Sequence, residues 1–178
     1  MTLPLEGINV LDISRTAPAA FCTMVLGDFG AEVLKIEQPQ RGDMRPLGSS
    51  VSPCGPEGER EAAFNALNRN KRSIALDLQS AAGARIFHQL ARTADVIIEG
   101  FRPGVVKRLG VDYESVARAN PGIVYCSLSG YGQDGPYRDR PGHDLNYISI
   151  AGVLGVIGDS AGQPVIPSNI VGDYAGGG

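Results

Sequence analysis

Short apolar runs alternate with amphipathic segments along this chain. Residues 8–13 (INVLDI) are apolar and follow a turn residue, which predicts a buried strand. Ala19, Cys22, Val25 and Leu26 then recur at helical spacing, predicting a helix over 17–29 that stops at Gly30. Residues 32–37 (EVLKIE) read as a second strand. This is a βαβ unit, so a parallel sheet is expected.

The pattern continues after a Gly-, Pro- and Ser-rich stretch, 38–60, which reads as a long loop. Residues 73–78 (SIALDL) predict a third strand, and Ser80 is placed to cap a helix running to about Arg92. Residues 95–99 (DVIIE) predict a fourth strand. The turn Arg102-Pro103-Gly104 opens a short helix to Leu109, with Pro103 in its first turn. A second short helix covers 113–119, and 123–128 (IVYCSL) is a fifth strand. A glycine- and proline-rich loop, 129–142, leads to a helix over 144–154 and then to an extended stretch ending near Val171. Strands interleaved with helices predict a doubly wound, Rossmann-like α/β sheet, with ligands at the carboxyl ends of its strands.

Length and charge narrow the picture. A chain of 178 residues fits one domain with a real core. The net charge of -3 argues against a general nucleic-acid binder. Cys22, Cys54 and Cys126 have no metal-like spacing and read as free thiols of a reducing cytoplasm. The start, MTLPLEG, lacks the marks of a signal peptide, and no apolar stretch is long enough for a membrane span. The final Gly176-Gly177-Gly178 reads as a tight turn rather than a packed element, so a truncated chain is expected.

Gly130-Tyr131-Gly132-Gln133-Asp134-Gly135 matches the dinucleotide fingerprint, yet Pro136 and Pro141 follow where a helix must open. A nicotinamide or flavin role is therefore not expected. Of the two histidines, His88 reads as a helix-surface residue. His143 stands at a helix start, where the helix dipole keeps an imidazole neutral and available as a base; it also suits a plain cap. An apolar run delivers Asp173 to a glycine-rich turn whose amides suit a developing oxyanion; a simple turn aspartate is the alternative. Two basic groups suggest a phosphate partner or a solvated surface: Arg69, Lys71 and Arg72, and Arg102, Lys107 and Arg108. No metal-ligand cluster is apparent.

Several segments in order resemble the class III coenzyme A transferase family, which also contains the α-methylacyl-CoA racemases. They are Leu5-Glu6-Gly7 through Leu11-Asp12, Leu26-Gly27-Asp28-Phe29-Gly30-Ala31-Glu32-Val33, Asn68-Arg69-Asn70-Lys71-Arg72-Ser73-Ile74, Asp95 through Gly104, and Gly130 through Pro136. The resemblance implies the amino-terminal, coenzyme A-binding part of a longer Rossmann-like fold. It further implies a cytosolic enzyme without a metal or a tightly bound cofactor, coenzyme A being part of the substrate, and an interlocked homodimer. By matched position it assigns coenzyme A contacts to Leu76, Asp77, Leu78, Gln79, Gly100, Phe101, Arg102 and Arg108. One departure is Gln38, where the family often has arginine; Arg41 is a candidate substitute.

Gly142-His143-Asp144-Leu145-Asn146-Tyr147 resembles the racemase branch, as does Pro167 through Asp173. The resemblance therefore implies His143 and Asp173 as an acid–base pair, with Gly142, Asp144, Asn146 and Tyr147 beside the substrate. The expected reaction is α-proton exchange on a 2-methyl-branched acyl-CoA thioester, with amides of 172–176 holding the enolate oxygen. Two alternatives stand. One is coenzyme A transfer between carboxylic acids through an aspartyl anhydride at Asp173; the other is an inactive or merely coenzyme A-binding fragment.

Overall fold

A computed structural model describes residues 2–39 and 66–178. Arg41, Cys54 and most of the expected loop 38–60 lie outside the described residues. The elements run β1 (Asn9–Asp12), α1 (Ala17–Asp28), β2 (Glu32–Glu37), β3 (Lys71–Ala75), α2 (Ala81–Ala91), β4 (Val96–Glu99), α3 (Val105–Leu109), α4 (Tyr113–Ala117), β5 (Val124–Ser127), α5 (Asp144–Ile150), a 3-10 turn (Val153–Val156) and α6 (Val171–Gly177). The five strands form one parallel sheet in the order β3-β2-β1-β4-β5. This is the doubly wound α/β fold, with its strand order reversing between β1 and β4.

The two-residue period of the strands divides the core between two faces. Leu11, Ile13, Ile36 and Ile97 pack with Phe87 and Ala91 of α2 and with Val111 and Val116 beyond α3. Val10, Val33 and Ile98 meet Ala19 of α1 on the other face. By the same alternation Asp12 turns to the α1 face with Val10. Its carboxylate there accepts from Thr23 Oγ1 at 2.6 Å and from Lys71 Nζ at 3.1 Å. Lys71 also donates to the Ala20 carbonyl and to Thr23, and both charged side chains are almost wholly buried, at 1% and 0% exposure. One buried pair thereby joins β1, α1 and the edge strand β3. Burial pushes the Lys71 ammonium below the usual lysine range, and Asp12 opposes that shift.

α1 (APAAFCTMVLGD) carries no charge before Asp28, so it has no polar face to turn to water. It buries one side on the sheet, while α6 lies against it, with the rings of Phe21 and Tyr174 at 4.9 Å between centroids. Gly30, at φ 103°, ends α1 as expected. Ser80 caps α2, its Oγ accepting from the Gly83 amide at 3.0 Å.

Several expectations need correction. β3 begins at Lys71 and ends at Ala75, because pairing with β2 from Val33 to Glu37 sets its register. α3 starts at Val105, after Gly104 in a left-handed conformation, so Pro103 precedes the helix rather than opening it. The helix expected over 144–154 stops at Ile150, and Gly152 (φ 80°) separates it from the 3-10 turn. The extended stretch expected before Val171 contains only the bridge Gly158–Pro164. The first basic group lies at the amino end of β3, away from the carboxyl ends of the strands. Lys71 is buried there, and Arg69 and Arg72 pair with Asp28 and Glu32. Gly176 and Gly177 belong to α6 rather than to a turn, since α6 docks on α1. His88 is half-buried and bonds the Gly110 carbonyl at 2.8 Å, which ties α2 to the end of α3.

Removing one partner of the buried pair leaves the other charge without compensation. Lys71→Met is expected to destabilise the chain by about 3–5 kcal/mol in equilibrium urea unfolding. Asp12→Asn combined with Lys71→Met is expected to cost clearly less than the sum of the single changes, because neither charge is then stranded.

Candidate active site

The carboxyl ends of the strands open onto a cleft of about 380 Å³ at the reversal of strand order. Its walls are Arg15 and Thr16 after β1, Glu37 and Gln38 at β2, Leu76, Asp77, Leu78 and Gln79 after β3, and Gly100, Phe101 and Arg102 after β4. Seven positions assigned by resemblance thus face one cavity. Arg108 is not among its walls. It stands just beyond, its guanidinium and that of Arg138 each 3.9 Å from where a Cβ on Gly104 would lie.

Local chemistry fixes these walls. Glu99 is 2% exposed, and its carboxylate accepts from the Phe101 amide at 2.7 Å, which shapes the turn after β4. Burial pushes the Glu99 carboxyl up, against the hydrogen bonds from Ser127 and Phe101. Gly100 fits closely there, since a Cβ would lie only 3.0 Å from Thr16 Oγ1. After β3, the Asp77 carboxylate accepts from the Gln79 amide at 3.0 Å.

Arg15 and Arg138 escaped the sequence reading. Arg15 donates to Gln38 Oε1 at 2.7 Å and lies over the Phe101 ring at 5.2 Å. It brings a guanidinium beside Gln38, the position where the resemblance had implied an arginine. Its position just after the first strand was a usable signal, because ligands meet such sheets at strand carboxyl ends. Arg138 carried no such signal; it reaches Gly104 only through the folding of the loop 129–142.

The Gly-x-Gly-x-x-Gly segment opens no helix. Of its glycines, Gly130 serves packing, since a Cβ there would collide with the Tyr147 ring, while Gly132 and Gly135 take left-handed φ of 89° and 85° with open space around them. Beyond the segment, a Cβ on Gly142 would collide with Tyr131 and Tyr147.

His143 is the residue before α5, and its amide donates to Asn146 Oδ1 at 3.0 Å. Tyr147, one turn on, donates its hydroxyl to the Gly142 carbonyl at 2.5 Å. Asp173 sits in the first turn of α6, a helix rather than the expected glycine-rich turn. Its amide donates to Asp144 Oδ1 at 3.0 Å, which joins the start of α6 to the start of α5. Gly172 permits that approach, because a Cβ there would meet Ile148 and Asp144 at 3.1 and 3.2 Å. At the other end of α6, a methyl on Gly177 would run into the Pro18 carbonyl.

Helix formation also narrows the oxyanion expectation. The Asp173 and Tyr174 amides are engaged by Asp144 and the Ile170 carbonyl, and those of residues 175 and 176 are held inside the helix. Within 172–176, Gly172 alone keeps an amide without an acceptor among the described residues.

Burial raises the Asp173 carboxyl above the ordinary aspartate range. The neighbouring Asp144 charge adds to the shift, and His143 opposes it. Tyr147 is pushed up by burial, then by Tyr131 and Asp173, while Arg102 pulls it down. Tyr147 therefore stands within electrostatic reach of both Arg102 at the cleft rim and Asp173. Among the described residues no cluster of three His, Cys, Asp or Glu side chains is arranged to hold a metal ion. No helix among them is long and apolar enough to cross a membrane.

A parallel sheet with a cleft at its strand reversal, and arginines at one rim of that cleft, defines a doubly wound α/β domain with a ligand-sized site at its strand ends. The chain belongs to CoA-transferase family III, whose model matches residues 5–178. Human alpha-methylacyl-CoA racemase is 40% identical over 99% of this chain and 41% of its own length. Human succinyl-CoA:glutarate CoA-transferase is 38% identical over 98% of this chain and 39% of its own. The crystal structure of a CAIB/BAIF family protein from Brucella suis superposes with a TM-score of 0.84 at 33% identity, over 98% of this chain and 46% of that one. The chain thus spans about two fifths of the length of these curated relatives.

Gly177→Ala is expected to undock α6. Amide hydrogen exchange should then lose protection over 171–178 and keep it in β1 and β4.

Proposed function

We propose that this site exchanges the α-proton of a 2-methyl-branched acyl-CoA thioester, as a racemase or epimerase does. The observation that carries the reading is the placement of His143 and Asp173 at the starts of two abutting helices, which Asp144 ties together through the Asp173 amide. One group of the pair removes the α-proton and leaves an enolate; the other protonates the opposite face. The substrate leaves with inverted configuration, and the pair resets by proton exchange with water. An ionised Asp173 with a raised pKa is a stronger base toward a weak carbon acid than an ordinary aspartate. The enolate oxygen needs a donor, and the Gly172 amide is the candidate. Coenzyme A lies across the strand ends in this reading, with Arg15 and Arg102 at the cleft and Arg108 and Arg138 near its phosphates. An interlocked cytosolic homodimer belongs to the same proposal. Sedimentation velocity reads the oligomeric state.

A second reading is coenzyme A transfer, favoured by the 38% identity to a transferase. Asp173 would attack the thioester carbonyl, forming a mixed anhydride and releasing the coenzyme A thiolate. Incubation with acyl-CoA in deuterated water separates the readings. Proton exchange gives α-deuteration without an acceptor acid, whereas transfer gives a hydroxylamine-trappable Asp173 and no deuteration. Binding of coenzyme A with neither signal marks a fragment that only binds.

Asp173→Asn and His143→Gln are each expected to lower α-deuteration by about 10²-fold or more, as loss of a positioned acid–base group does. Full exchange by Asp173→Asn would overturn the assignment. Proton abstraction by Asp173 requires its ionised form, so kcat/KM should fall as pH drops through its raised pKa, above the ordinary carboxylate range. Asp144→Asn removes a like charge and should move this acid limb to lower pH.

A further inference from the structure

We infer that a second cavity beside the reactive pair is the acyl-group pocket, and that it selects bulky uncharged acyl groups over dicarboxylic ones; this rests on the thioester reading above. The cavity, of about 320 Å³, lies between the loop 129–142 and α5. That size falls within the range of small-molecule sites, about 300–1,000 Å³. Its walls are mainly Tyr131, Pro136, Tyr137, Tyr147, Ile150 and Ala151.

The walls are built rather than incidental. Tyr131 lies edge-on to Tyr147 at 5.2 Å between ring centroids and tilts against Tyr137 at 5.6 Å. Both flanking positions, Gly130 and Gly142, leave no room for a Cβ against these rings. Gly130, the first of the glycines that imitate a nucleotide fingerprint, therefore serves with Gly142 to seat an aromatic wall. Yet Tyr137 and Ile150 remain 51% and 58% exposed, which is apolar surface that an entering acyl group would cover.

Tyr147 connects the cavity to the chemistry. It stands one helical turn beyond His143, the residue that precedes α5. Its hydroxyl holds the Gly142 carbonyl, the residue before His143. A substituent on a carbon placed at the pair would run along Tyr147 into the aromatic walls, while the coenzyme A arm would leave toward Arg102.

Charge sets the selection. Asp134 supplies the one charged side chain among the lining residues. Arg138, though adjacent in sequence, reaches toward Gly104 instead. A terminal carboxylate on the acyl group would meet Asp134 with no lining cation to compensate, which is discrimination by repulsion.

The test is calorimetric binding of coenzyme A and three unreactive thioether analogues carrying propionyl-like, 2-arylpropionyl-like and succinyl-like groups. For the wild-type chain, the aryl analogue is expected to bind at least about tenfold more tightly than the propionyl analogue, since a hydrophobic pocket gives that much for a few added carbons. The succinyl analogue should gain nothing. Tyr137→Ser with Ile150→Asp should erase the aryl gain and leave the Kd for coenzyme A within about twofold, both positions being exposed. An aryl gain that is absent from the wild type or survives in the variant would overturn the pocket while leaving the thioester reading intact. A tighter succinyl analogue would overturn the selectivity. Failure of coenzyme A itself to bind would instead sink the thioester reading, and the pocket with it.

Discussion

The buried pair of Asp12 and Lys71 is the constraint on which the rest of the structure hangs. A lysine on an edge strand ordinarily snorkels to water. Here it crosses the face under α1 and meets a carboxylate, a hydroxyl and a backbone carbonyl. Taking both charges out of water is costly unless every remaining donor and acceptor is met. The arrangement therefore admits few positions for α1 relative to β1 and β3. Asp12 meets a further requirement by accepting from the Ser14 amide at 2.9 Å, which shapes the turn leading to Arg15 and Thr16.

From that turn the site follows in two directions. Across the strand ends, Arg15 stacks on Phe101 and bonds Gln38, so three separate strand ends close around one cleft. Along α1, Pro18 and Phe21 provide the surface on which α6 docks, and α6 carries Asp173. A helix of this composition, apolar around its circumference, needs cover on both sides. The cover it recruits is the element that holds Asp173. Stability and site geometry share the same residues, so errors in α1 placement would propagate to Asp173.

The fold was largely legible in the chain. Five apolar runs became five strands, and Ser80 and Gly30 marked helix ends where their chemistry said they would. The carboxyl-terminal portion was less legible. Gly176 and Gly177 carry poor helix propensity, yet packing of Gly177 on Pro18 overrides it, because close approach of two backbones there needs the missing Cβ. The basic cluster 69–72 misled for a related reason. Charge in sequence does not say which cations are already answered by Asp12, Asp28 and Glu32.

The order of residues alone determined the class of sheet, its parallel sense, and the identity of His143 and Asp173 as residues of interest. Those features depend on local periodicity, turn chemistry and short matched segments, all of which are written in neighbouring positions. Only tertiary structure decided which cations face the cleft, that Asp144 joins the starts of α5 and α6, and that the tyrosines of a loop and a helix enclose a second cavity. These contacts join positions far apart in the chain, as with Arg15 and Phe101. At such separations the chain path sets proximity, and burial then sets the energy of each charge.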